Sequence, residues 1–493
     1  MKSDKSIPSL AELEALVPAG QLNLVVKALQ DMNLKQIPRK DLSRYANIAN
    51  RVGQFRIAYR ILSRVIRQQS ESADSASSAE WVEYAEALRR MGLIAEAQRI
   101  LAKLDATEMP LVHLRRAYCL VNQWKYGEAI PHLETYLSAV DPKEYAYLVA
   151  AVNLAAALVV ERKDKEAFDL LDRLIFEARS AGRNLLYINC LELKAQLHIR
   201  QGNFDFADQA LEEAFSVSSD PQTRYSLFLR KWQAISKSLR LGAVHPELLD
   251  CRKSATEKED WETLRECDLY IGFLNSDLKL LGHVYFGTPF PSYRQRILDI
   301  AGAKFTPGRS FLWNPSGHES ADEIFDVLHG KMDGSNTMAL ERGQLMHRMM
   351  TLLTADFYRP LSMGTAFSEL FPHEQFSQLG STNRVCNVIR RLRQWMAKGN
   401  NQFSIEENQG CYRLTAVPGV ALRVYAEIEQ VSSEQIKWEE VRGQLSPGPF
   451  SREDVLRTLG CSVSTAKRFL RWAIDSGKVE VLGDGPRRRY RPL

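Results

Sequence analysis

The sequence predicts a mostly α chain: a long array of stacked helical hairpins followed by two small α+β domains. Three observations predict it. Between about residues 20 and 300, apolar residues recur at i, i+3, i+4 and i+7, with little strand-like alternation. Within that stretch a hairpin-like text recurs five times. Beyond it, two basic amphipathic helices are each followed by a hairpin turned on glycine.

Bulk properties set the frame. The 493 residues suggest roughly three domains. With 45% hydrophobic and 25% charged residues, the composition is that of an ordinary globular protein. The seven cysteines, at 119, 190, 251, 267, 386, 411 and 461, lie far apart and form no CxxC pair. That pattern argues against a disulfide framework or zinc site and for a reducing cytoplasm. The opening text MKSDKSIPSLAELEALVP has no apolar core of a secretory signal. The longest apolar run, Tyr147 to Val160, contains Asn153 and is too short to span a bilayer. The expected location is the cytoplasm, without a membrane partner.

The repeated text carries the array. GQFRIAYRIL (53–62) aligns with GLIAEAQRIL (92–101), WKYGEAIPHL (124–133), RKDKEAFDLL (162–171) and GNFDFADQAL (202–211). Each has a turn residue, then Ala58, Ala97, Ala129, Ala167 or Ala207, then Leu62, Leu101, Leu133, Leu171 or Leu211. Glycine serves a tight turn, and the small alanine lets the second helix pack close to the first. Trp124 and Arg162 replace the glycine in two units, so ordinary backbone angles are expected there. These features, over about residues 38–220, resemble the tetratricopeptide repeat. Residues 1–37 are expected to form a helical cap, 38–282 the array (with further degenerate pairs at Trp232–Cys251 and Trp261–Gly282), and 283–304 a connecting segment bent at Gly287, Pro289 and Pro291. The resemblance implies a concave groove lined by the first helix of each pair. Leu114, Tyr118, Val121, Val152, Ala156 and Val159 would line it and receive a protein or peptide, a second copy of the chain, or its own C-terminal part. Asn47, Asn50 and Arg51 offer polar groups suited to a carboxylate.

Residues 305–416 read as a first α+β domain. Short strand-like pieces (310–315, 324–330, 336–340) precede a helix running to Pro360, then SMGTAFSELFP, then the basic helix STNRVCNVIRRLRQWMAKGN, then FSIEENQGCYRLTA as a hairpin turned at Asn408-Gln409-Gly410. Val385, Ile389–Arg393 and Gly410–Leu414 resemble the winged-helix effector domain of OmpR-type response regulators. That resemblance implies a helix in the DNA major groove. Ser381 or Thr382 suits the helix cap, and Thr382 there would lie beside a DNA phosphate favoured by the helix N-terminus. The outward face would carry Asn383, Arg384, Asn387, Arg390 and Arg391, where arginine can grip guanine and asparagine adenine. Arg393 suits a phosphate or intradomain contact, and Arg413 on the wing a phosphate. No alternating strand–helix segment with an acidic cluster accompanies it, so phosphorelay control is not implied.

After a linker (417–431), residues 432–493 read as a second winged helix-turn-helix. Ser451 and Asp454 form a capping-box pattern. The helix beginning near Ser462 or Ser464 seats Ala466, Phe469, Leu470 and Ala473 inward. Ser464, Thr465, Lys467, Arg468 and Arg471 face outward as candidate DNA contacts, and Arg487, Arg488 and Arg489 on the hairpin would track the DNA backbone or enter a minor groove. Segment 381–398 has five Lys/Arg and no acid, and segment 462–493 has eight Lys/Arg against three acids. Each is therefore +5, against +5 for the whole chain, so the remainder carries −5. Concentrated basic charge of this kind is an electrostatic footprint for nucleic acid.

Catalytic motifs are missing from the sequence: it has no GxxxxGK[ST], HExxH or GxSxG, and His318-Glu319 lacks a helical second histidine. No enzyme activity, metal or cofactor is expected. The expectation is a sequence-specific DNA-binding regulator whose partners are double-stranded DNA and, through the array, a protein, peptide or second protomer. The alternatives are a scaffold that uses the winged helices for docking, or the DNA-binding component of a nucleic-acid-processing system.

Overall fold

The computed structural model describes residues 9–17, 20–67, 75–218, 224–317, 321–333, 339–399, 402–426, 433–444, 448–483, 485 and 488–493. The chain is mostly α, with small sheets toward its C-terminal end. It divides into two compact units. One comprises residues 1–307, 356–385 and 407–412, the other 308–355, 386–406 and 413–493.

The first unit begins with α1 (Leu10–Leu16) and α2 (Leu22–Asp31). Helical pairs follow: α3 (Leu42–Arg51) with α4 (Phe55–Ile66), α5 (Ser78–Arg90) with α6 (Ile94–Ala102), and α7 (Leu111–Val121) with α8 (Tyr126–Ala139). Next are α9 (Tyr145–Val160) with α10 (Asp164–Ser180), and α11 (Asn184–Arg200) with α12 (Phe204–Val217). Last are α13 (Arg224–Leu241) with α14 (Pro246–Glu257), α15 (Trp261–Asn275) with α16 (Leu278–Phe286), and then α17 (Pro291–Ala301). The repeated alanines Ala58, Ala97, Ala129, Ala167 and Ala207 are all fully buried, as are Leu62, Leu101, Leu133, Leu171 and Leu211. The repeating text therefore places the same two core contacts in five successive second helices.

The turn inside each repeated pair needs a left-handed residue. Gly53, Gly92 and Gly202 supply φ of +77°, +84° and +75°. Trp124 and Arg162 adopt the same conformation, each with φ +58°, which overturns the expected ordinary angles. The fold requires that reversal, and a side chain there costs about 1–2 kcal/mol. At Trp124 the indole offsets the cost by packing on Tyr126, Phe290 and Tyr293, with its centroid 4.6 Å from that of Tyr293.

Later parts of the same unit pack on three of these turns. Phe290 and Tyr293 of the α17 region meet the Trp124 turn, and Asp299 meets Arg162 at 3.2 Å. β4 (Leu361–Ser362) and α19 (Met363–Leu370) meet the Gly92 turn. A Cβ on Gly364 would lie 1.8 Å from the Met91 carbonyl oxygen, so only glycine permits this approach. At the other end of the segment, Phe357 N–H donates to the Gly287 carbonyl and the Phe357 ring leaves no room for a Cβ there.

α15 is buried along nearly its whole length and carries charge inside. Arg265 is fully buried and bonds Asp356 twice at 2.9 Å, with Glu262 at 3.0 Å. Asp268 accepts from the Tyr358 hydroxyl at 3.0 Å and from Arg252 at 2.5 Å. Glu266 is held by Arg296 of α17. Such groups tolerate burial only when paired.

The second unit holds a mixed four-stranded sheet in the order β1-β7-β2-β3, with β1 at Phe311–Trp313, β2 at Ala321–Asp326, β3 at Lys331–Met332 and β7 at Gly419–Val424. β7 runs antiparallel to β1 and parallel to β2, with Phe325 opposite Leu422. Residues expected as linker thus form an inner strand of the sheet. The helix expected to reach Pro360 is α18 (Leu345–Leu353) and stops earlier. Thr354 turns its hydroxyl back to the Met350 carbonyl, and Asp356 accepts from the N–H groups of Tyr358 and Arg359, which forms a turn in place of further helix. The strand-like text at 336–340 falls largely outside the described residues.

α20 (Gly380–Lys398) and the hairpin β5 (Phe403–Asn408) and β6 (Cys411–Ala416) follow α19 in sequence, and β4, β6 and β5 form a three-stranded sheet in that order. Gln409 and Gly410 turn this hairpin with φ of +51° and +76°. The C-terminal module consists of α21 (Ser433–Gln444), α22 (Arg452–Leu459), α23 (Val463–Asp475) and the antiparallel pair β8 (Val479–Leu482) and β9 (Arg489–Pro492). Its core joins Trp438, Val441, Phe450, Val455, Ala466, Phe469, Leu470, Ala473, Val479 and Tyr490.

Candidate nucleic-acid interface

α20 separates its residues cleanly by polarity. Val385, Val388, Ile389, Leu392 and Met396 are buried, whereas Asn383, Arg384, Asn387, Arg390 and Arg391 are exposed. The 3.6-residue repeat makes this partition: the apolar stripe at spacings of three and four seats the helix, and everything opposite faces outward. Arg390 donates to Asn387 Oδ1 at 3.4 Å, a long bond easily exchanged. Arg393 donates to the Ile405 carbonyl at 2.8 Å and so acts within the fold. Arg413 is half-buried on β6. The start of the helix differs from the expected Ser381 or Thr382 cap. Ser377 Oγ accepts from the Gly380 N–H at 3.0 Å, and Ser381 Oγ in turn accepts from the Ser377 N–H at 2.8 Å. Thr382 is half-buried in the first turn.

α23 repeats the design. Ser462 caps it, accepting from the Thr465 N–H at 3.3 Å. Ala466, Phe469, Leu470 and Ala473 are buried, while Ser464, Lys467, Arg468 and Arg471 are exposed and Thr465 is half-buried. Before it, Ser451 and Asp454 close the anticipated capping box on α22, and the bonds from Ser451 hold Asp454 below the usual carboxylate range. Arg488 and Arg489 are exposed at the β8–β9 hairpin, and Tyr490 anchors it through reciprocal 2.9 Å backbone bonds with Phe450. Arg487 lies outside the described residues.

Sequence reading missed two apolar side chains. Leu379, immediately before α20, is 80% exposed, and Val463, the first residue of α23, is 50% exposed. The only available signal was an apolar residue beside a cap rather than on the helix stripe.

In the array, the expected groove residues divide. Leu114, Val152 and Val159 are buried, and Tyr118, Val121 and Ala156 are half-buried. Arg51 is exposed, but Asn47 and Asn50 already hold a carboxylate, that of Glu83 on the neighbouring pair, at 2.9 and 2.8 Å. Arg115 joins Glu83 at 3.3 Å and Glu86 at 3.6 Å, and Arg89 binds Glu86 at 2.6 Å. Burial pushes Glu86 up, but Arg89 and Arg115 outweigh it and hold the carboxyl below its ordinary value. These groups consolidate the first three pairs rather than waiting for a ligand.

Among the described residues no group of three or more His, Cys, Asp or Glu could hold a metal ion, and no helix is long and apolar enough to cross a membrane. No protein-family model matches the chain, and no curated protein sequence matches it.

Proposed function

We propose that the chain is a sequence-specific DNA-binding regulator. The observation that carries this reading is the partition of α20, whose buried aliphatic stripe backs an exposed face of two asparagines and three arginines without an acid among residues 381–398. The same division on α23 supports it independently. In this reading α20 reads base edges through Asn383, Arg384, Asn387, Arg390 and Arg391. α23 supplies Ser464, Thr465, Lys467, Arg468 and Arg471, and Arg488 and Arg489 follow the phosphate backbone. Linking two such modules in one chain raises effective concentration on adjacent sites. The helical array is the regulatory part, taking a protein or peptide partner or a second copy. The chain acts without catalysis, in the cytoplasm.

The test is binding to random duplex DNA as salt rises. Counterion release predicts log K falling linearly with log salt, by about 0.9 for each phosphate neutralised. An absence of binding at low salt would overturn the reading and favour a protein-docking scaffold.

A further inference from the structure

We infer that Arg384 is held in reserve by a latch anchored on the second helical pair of the array, so that the array sets how many arginines α20 offers to DNA; the inference rests on the DNA-binding reading above. Arg384 is one of the five polar residues on the exposed face of α20, yet its guanidinium forms an ion pair with Glu374 and lies 3.9 Å from the centroid of the Phe371 ring. Both partners belong to the turn between α19 and α20, and the array holds that turn. Arg99 donates to the Glu374 carbonyl at 2.9 Å. Glu96 accepts from the Phe376 N–H at 2.8 Å, and the Tyr59 hydroxyl donates to the Phe376 carbonyl at 3.0 Å. The Phe376 ring is buried against Tyr59 and Phe367. Upstream, Gly364 sits against the Met91 carbonyl and Ser368 Oγ accepts from the Ala95 N–H at 3.4 Å.

The latch is weak by design of its parts. Arg384 and Glu374 are each about half exposed, so their pairing and the cation–π contact together amount to a few-fold effect on occupancy. A force of that size can be overcome by DNA or by a partner that shifts the α5–α6 pair. While closed, it removes one of three arginines from the reading face.

Two readouts on the full chain test this. The first needs no DNA: phenylglyoxal modification followed by peptide mass spectrometry. Arg384 should react several-fold more slowly than Arg390, and Glu374→Gln should narrow that gap, with the Phe371 ring contact remaining. Equal rates in the unaltered chain would overturn the latch, whether or not the chain binds DNA. The second is a double-mutant cycle on duplex DNA. Glu374→Gln should tighten binding at low salt by about fivefold, and the gain should shrink as salt rises, because salt already screens the half-exposed pair that the variant removes. Both effects should vanish in an Arg384→Ala background. A gain that persists there would come from loss of a repelling carboxylate and would overturn the inference, as would weaker binding by Glu374→Gln. A chain whose Arg384 is protected but which binds no duplex at low salt would overturn the DNA-binding reading and the inhibitory role together, leaving the contact as a structural fastening.

Discussion

The guanidinium of Arg265 on α15 is fully buried and makes two 2.9 Å hydrogen bonds to the carboxylate of Asp356. This pair fastens residues 356–385 to the helical array at the start of the segment, Gly364 against Met91 fastens it again soon after, and Phe376 on Glu96 and Tyr59 holds it farther along. The pairing matters because an arginine in that position has no water to turn to.

Asp356→Asn should therefore destabilise the first unit by about 3–5 kcal/mol, the range for breaking one partner out of a buried pair. Arg359→Ala, which removes a half-exposed partner of Glu262, should cost less than about 1 kcal/mol. Denaturant unfolding followed by circular dichroism separates the two. Equal small losses would mean that Arg265 finds another partner.

Gly364→Ala should detach α19 from the second hairpin. The new Cβ would meet the Met91 carbonyl oxygen at 1.8 Å, and backbone on both sides leaves nothing flexible to yield. The expected outcome is loss of protection from hydrogen exchange over residues 362–376. Gly443→Ala in α21, where nothing lies within 4 Å, should be neutral or stabilise by up to about 1 kcal/mol.

The two non-glycine turns should respond oppositely to glycine. Arg162→Gly relieves a left-handed side chain and loses only an exposed pair with Asp299, so stability should rise by about 0.5–1 kcal/mol. Trp124→Gly relieves the same strain but forfeits the contacts with Phe290 and Tyr293, so stability should fall by about 2 kcal/mol. Thermal midpoints of both variants give the comparison.

The contrast between these turns marks what the sequence could disclose. The helical pairs were legible because Ala58, Ala97, Ala129, Ala167 and Ala207 recur in a fixed relation to a turn and all serve the same burial. The α20 face was legible because one helix period sorts it. The left-handed angles at Trp124 and Arg162 were not, since tertiary contacts far along the chain decide whether a bulky residue can be held there. β7 was hidden for a related reason. Gly419–Val424 is a short apolar run after a hairpin, and only its pairing partners, β1 and β2, make it an inner strand. Asn47 and Asn50, expected to offer polar groups to a partner's carboxylate, donate to Glu83 of the same chain, an intrachain pairing that no local pattern distinguishes from a ligand site. The fastening of residues 356–376 to the array depends on glycine contacts and single hydrogen bonds between residues hundreds of positions apart, which no local pattern announces.

His347 gives the second unit an acid sensitivity. It is buried, its Nδ1 accepts from the Gly343 N–H at 3.3 Å, and its Nε2 lies 3.2 Å from the Leu328 carbonyl, which together fit the neutral ring. Burial lowers its pKa. Below about pH 6.5 the unfolded chain takes up a proton that the folded chain resists, so stability falls as pH falls. The thermal midpoint should drop between pH 7.5 and 5.5. His347→Gln should start lower at pH 7.5 and fall less; an unaltered slope would remove His347 from the account.

The measurement that bears most directly on the central claim is duplex DNA affinity of the full chain carrying Arg390→Glu and Arg391→Glu, compared at low salt with the unaltered chain. Both side chains are exposed on α20 opposite its buried stripe, so folding should be retained by circular dichroism. The account predicts a loss on the order of 100-fold or more, at about 1–3 kcal/mol for each contact removed. Unchanged affinity in a folded variant would contradict it.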